Sequence, residues 1–66
     1  MIRIHRFVQG VRVRVKRGRL PMDAALLGRT GLVVETDDYR PTRYGIVLDE
    51  ETELRELAED EIEPLG

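Results

Sequence analysis

The stretch GVRVRVKRG, residues 10–18, constrains the fold more than any other part of the chain. Val11, Val13 and Val15 alternate strictly with Arg12, Arg14 and Lys16. A period of two does not suit the 3.6-residue repeat of a helix. It predicts a half-buried strand with valines inward and bases outward. Such a strand needs partners, and two further runs supply them. TGLVVET and YGIVLDE, in residues 30–50, are rich in Val, Ile and Leu and read as strands. The DDYRPTR segment between them is longer than a two-residue hairpin turn. Gly31 and Gly45 fall near the two strand starts, where glycine marks a bend, a bulge or close backbone packing.

The remaining segments read less sharply. IRIHRF, near the start, alternates weakly; an extra edge strand or an unstructured arm over residues 1–7 are both consistent with it. RLPMDAALLGRTG breaks the alternation and predicts a long loop holding one helical turn, opened by Pro21 and closed by Gly28. Its Leu20, Met22, Leu26 and Leu27 are expected to cover one end of the core. The tail, ETELRELAEDEIEPLG, has two readings. Propensity favours a helix, with Leu54, Leu57, Ala58 and Ile62 at helical spacing. The other reading is a strand over 52–57, a turn at Ala58, Glu59 and Asp60, and a strand over 61–65. Without it, two or three strands would carry long unpaired edges.

Sixty-six residues allow one domain, residues 1–66, with a small core. The chain has no cysteine, which removes disulfides, zinc ribbons and thiol chemistry. No apolar run approaches the roughly 18 residues of a membrane span, and Arg3, His5 and Arg6 interrupt any signal-peptide core. A soluble cytoplasmic protein is the expectation. The net charge of −2 conceals an asymmetry. Residues 1–29 carry eight Lys/Arg against one Asp, and residues 30–66 carry three Arg against twelve acids. The pI of 5.3 argues against a general nucleic-acid binder. Abundant Arg, a single Gln and no Asn fit a thermophile, although a GC-rich genome biases composition the same way.

Alternating valines, a long loop, a Gly-x-x-Gly-x-Val-Val hairpin, a Tyr-Gly-Ile-Val-Leu-Asp strand and a closing AEDEIEPL follow one another over residues 8–65. This layout resembles the small SH3-like barrels of KOW-type domains, and those of the group formed by a small photosystem I protein and the ferredoxin–thioredoxin reductase variable chain. The LAEDEIEPL ending is similar to the last turn and strand of the photosystem protein. The resemblance implies an all-β, five-stranded SH3-like barrel with one long loop and a strand–turn–strand tail. It also implies pairing of the first and last strands, placing Arg12 and Arg14 near Glu61 and Glu63.

Catalytic templates are poorly served. There is no Ser or Cys, and the one His, His5, is expected at the surface of a mobile N-terminus. Asp37-Asp38 and Asp49-Glu50-Glu51 lie in expected turns, where carboxylates are solvated rather than tuned. The acidic runs lack calcium-loop spacing, and Gly28-x-x-Gly31 lacks the rest of a phosphate loop. No enzyme, metal or cofactor is expected.

Binding surfaces remain. Tyr39, Arg40, Arg43 and Tyr44 are candidates for partner contact, with Tyr44 packing over the barrel end as the structural alternative. Lys16, Arg17 and Arg19 form a second candidate site on a loop without expected ion-pair partners. One expected function is a protein-interaction module or accessory subunit, using residues 20–27 and the 37–44 loop. The alternative is a KOW-like RNA- or ribosome-associated domain using Arg12, Arg14, Lys16, Arg17, Arg19, Arg40 and Arg43. A homodimer is a further expectation for so small a core, and a sedimentation profile showing only monomer at high concentration would oppose it.

Overall fold

A computed structural model of the chain describes residues 5–65. It is all-β: β1 (Arg12–Val15), β2 (Thr30–Thr36), β3 (Arg43–Leu48), β4 (Leu54–Ala58) and β5 (Ile62–Pro64), with two single 3-10 turns, η1 (Ala24–Leu26) and η2 (Glu59–Glu61). The strands form one antiparallel sheet in the order β4-β3-β2-β1-β5. Its outer strands, β4 and β5, are not paired with each other, so hydrogen bonding does not close the sheet into a barrel.

Alternation in β1 works as the sequence predicts: Val13 and Val15 are buried and Arg12 and Arg14 are exposed. In β3 Tyr44, Ile46 and Leu48 point inward and Arg43, Gly45 and Val47 outward. Val33 of β2, Leu57 of β4 and Ile62 of β5 join the same cluster, so all five strands share one core. A register shift between Val33 and Glu35 bulges β2 against β3. Bulges sharpen twist, which helps a five-stranded sheet curl around so few side chains.

The tail takes the strand–turn–strand form rather than the helix. Leu57 and Ile62 anchor its two strands in the core, and this burial outweighs a helix propensity worth only tenths of a kcal/mol per residue. The 16–29 loop contains its helical turn, but Asp23 rather than Pro21 opens it. The Asp23 carboxylate accepts the Ala25 N–H at 3.0 Å. Met22 and Leu26 pack against the core as expected, whereas Leu20 stands 63% exposed.

Residues 1–4 of the expected N-terminal arm lie outside the described residues. Residues 5–10 form no strand. Phe7 is instead buried in the core, its ring edge-on to Tyr44 at 5.4 Å between centroids, and its N–H donates to the Tyr44 hydroxyl. His5 is therefore not a mobile surface residue. Its side chain is 12% exposed, beside Tyr44, and Nε2 lies 2.9 Å from Asp38 Oδ1.

First and last strands pair, with Arg14 opposite Glu63. The expected ion pairs to Glu61 and Glu63 do not form. Arg12 grips Asp49 with both terminal nitrogens, at 2.8 and 2.7 Å. The Asp49 N–H donates to the Thr30 carbonyl, and this brings its carboxylate within reach of the outer face of β1. Glu61 is otherwise engaged, accepting the Ala58 N–H at 2.8 Å.

Two predictions arise here. The Arg12 guanidinium, and next the Thr30 hydroxyl, hold the Asp49 carboxyl down to about 2. A folded value below the unfolded one stabilises fully above about pH 4 and progressively less as pH falls toward 2. Thermal melts of Asp49→Asn are expected to show a shallower acid-side loss than the unmutated chain over that window. An unchanged slope would remove Asp49 from the acid response. Glu50 has φ +71, in the left-handed region, within the turn joining β3 and β4. Glu50→Gly is expected to stabilise the chain by about 1 kcal/mol in urea unfolding, because glycine occupies that region without the Cβ clash.

Candidate functional site

η2 is the hub around which the exposed loops are fixed. Its acidic residues sit on a single 3-10 turn between two core-anchored strands, β4 and β5. On one side the Lys16 N–H donates to the Glu61 carbonyl at 2.8 Å, and the Asp60 carboxylate accepts the Arg19 N–H at 3.1 Å. Gly18 lies between them. A Cβ there would come within 2.8 Å of Glu61 Cγ and 2.9 Å of Asp60 Oδ1, so the close approach depends on the missing side chain. On the other side the Glu59 N–H donates to the Thr42 carbonyl at 2.8 Å, tying η2 to the loop that leads into β3.

Three surface depressions meet at Arg43, the first residue of β3. The largest of the three, about 420 Å³, runs from Leu20 past Thr42 to Ala58 and the η2 acids. A neighbouring one, about 300 Å³, is floored by Pro21, Met22, Leu26 and Leu57. Leu20, Arg43 and Glu61 line both, so the two are halves of one groove divided by Leu20 and Arg43. The third, about 70 Å³, lies over Gly45 between Glu35 and Leu54.

Arg43 donates through Nε to Glu56 Oε1 at 2.8 Å, and Arg40 reaches the same oxygen at 3.2 Å. The Arg43 hydrogen bond, with the charges of Arg40 and Arg43, holds the Glu56 carboxyl below its usual range. Asp37 is lowered by accepting the Tyr39 N–H and then by Arg40. Both acids therefore stay ionised and keep the arginines in place. These contacts are solvent-exposed and individually worth only tenths of a kcal/mol to about 1 kcal/mol.

The candidate partner residues are thus scattered. Arg40 and Arg43 converge on Glu56, while Tyr39 projects into solvent at 92% exposure. Tyr44 is a correction: at 1% exposure it belongs to the core and presents nothing to a partner, because β3 alternation turns it inward. Arg19 finds Asp60, with Nε 3.4 Å from the carboxylate. Lys16 and Arg17 form no ion pair among the described residues. Leu20, the centre of the groove, reads from the sequence both as core cover and as part of an expected 20–27 interaction surface; the structure shows it 63% exposed. Its position between Gly18-Arg19 and Pro21, in a run of loop-forming residues, was the available clue.

His5 and Asp38 form a histidine–carboxylate pair, an arrangement that in other settings orients a base. Here the second ring nitrogen, Nδ1, is enclosed without a hydrogen-bond partner, so it faces no substrate space. Among the described residues no group of three or more His, Cys, Asp or Glu side chains is arranged to hold a metal ion. No helix among them is long and apolar enough to cross a membrane. No family model, curated protein or solved structure matches this chain.

Proposed function

We propose that this chain is a non-catalytic interaction module of SH3-like barrel type, docking onto a larger protein through the groove centred on Leu20 and Arg43. The observation that carries this reading is Leu20 itself. It is a large aliphatic side chain, 63% exposed, on a loop held by backbone hydrogen bonds to η2. Solvent-facing leucines are common singly, but this one divides a groove with an apolar floor and a polar rim. A rigidly presented apolar anchor lowers the ordering cost of association.

Affinity capture from native lysate tests the reading. The unmutated chain is expected to retain a partner protein that Leu20→Asp loses, with unchanged melting behaviour, because exposed substitutions shift stability by no more than about 0.5 kcal/mol. Recovery of no protein above background would count heavily against it.

A second reading rests on a different observation. Arg14, Lys16 and Arg17 form no ion pairs among the described residues, and Tyr39 is free to stack beside Arg40. A KOW-like RNA-associated domain would use them, and its affinity would fall steeply with salt. Filter binding to RNA at low ionic strength decides: absence of salt-sensitive retention eliminates this alternative.

A further inference from the structure

Resting on the interaction-module reading, we infer that the groove's partner is a protein segment combining a bulky aliphatic side chain with a neighbouring lysine or arginine. The apolar half of the inference comes from the floor. Pro21, Met22, Leu26 and Leu57 lie beneath Leu20, and the lining carries no aromatic ring because Tyr44 is turned into the core. Polyproline helices and nucleobases are both gripped by aromatic faces, so neither fits this floor, whereas a leucine, isoleucine or methionine does.

The cationic half comes from charge. Five acids line the groove, Asp23, Glu56, Glu59, Asp60 and Glu61, against two bases, Arg19 and Arg43. Both bases are already matched within the molecule, Arg19 to Asp60 and Arg43 to Glu56. Asp23, Glu59 and Glu61 form no ion pair among the described residues, which leaves the lining with an excess of three negative charges. A cation on the incoming segment is complementary to that rim, and an acid there is repelled. Arg14, Lys16 and Arg17 do not line the groove. Arg40, also outside the lining, reaches Glu56 Oε1 at 3.2 Å, so the rim keeps a net negative charge of about two rather than three.

A random-peptide display library panned on the full chain tests this. Recovered peptides are expected to pair an aliphatic residue with Lys or Arg. Leu20→Asp is expected to weaken them by about tenfold or more, as for an anchor at the centre of an interface. Glu59→Lys, on the rim, is expected to weaken them severalfold and to flatten the salt dependence. Leu20-dependent binders that are acidic or uncharged would overturn the partner chemistry and leave the interaction module standing. Peptides insensitive to Leu20, or none enriched over the Leu20→Asp chain, would overturn the groove as the site, while lysate capture judges the module separately.

Discussion

Tyr44→Ala is expected to remove about 4 kcal/mol of stability, a large share of what a chain of this length has. The ring is completely enclosed and packs edge-on against Phe7, so its removal leaves a cavity worth about 4 kcal/mol. A domain of this length has a total stability of only about 3–10 kcal/mol. Tyr44→Phe separates the two roles of the side chain. It keeps the ring and deletes the hydroxyl that accepts the Phe7 N–H, leaving a buried donor unsatisfied at a cost of about 1–3 kcal/mol. Urea unfolding followed by circular dichroism measures both. A Tyr44→Ala protein that unfolds at the unmutated midpoint would place this residue at the surface and restore it as a partner contact.

The second large effect is expected at Gly31. This residue sits opposite Val13 on one side and Leu48 on the other. A Cβ there would lie 2.7 Å from the Val47 carbonyl oxygen and 3.0 Å from the Leu48 Cα. Both are backbone atoms of a paired strand, so the clash cannot be relieved by turning a side chain. Gly31→Ala is expected to cost about 2–3 kcal/mol, the usual penalty of overpacking a well-filled core. The loss would appear as a lower urea midpoint with an unchanged slope, since the unfolded surface is the same. A neutral substitution would mean that β2 and β3 leave room for a methyl group at this point.

Much of the sheet was legible because β1 carries its burial in strict alternation and β2 and β3 are rich in strand-forming Val, Ile and Leu. Val13 and Val15 could be assigned to the core from spacing alone, whereas Ile46, Val47 and Leu48 form a continuous apolar run whose inward members only the structure separates. The tail was not legible by propensity. Leu54, Leu57 and Ile62 fit a helical stripe as well as two strands, and only pairing of β5 with β1 chooses between them. Phe7 and His5 were missed for a related reason. Their alternation is short and interrupted by arginines, and their places depend on Tyr44, thirty-seven residues from Phe7 in sequence.

Ion pairing was the least accessible feature. Arg12 finds Asp49 and Arg29 reaches Glu51, both contacts joining the basic first part of the chain to the acidic second. The charge asymmetry is thus partly neutralised inside the fold, as the resemblance implied, but through the turn joining β3 and β4 and, at Arg19–Asp60, through η2 rather than through β5. Leu20 illustrates the limit most clearly. The sequence allowed it as core cover or as part of a 20–27 interaction surface, and the fold leaves it 63% exposed.

On the proposed reading, a partner is recognised at the groove around Leu20 and Arg43. Amide hydrogen exchange on the complex captured from native lysate reads out which face is covered. Slowed exchange is predicted over residues 18–26 and 58–61, with Arg14, Tyr39 and Arg40 unaffected. Protection confined to residues 14–17 and 39–40, with the groove exchanging as in the free chain, would contradict it.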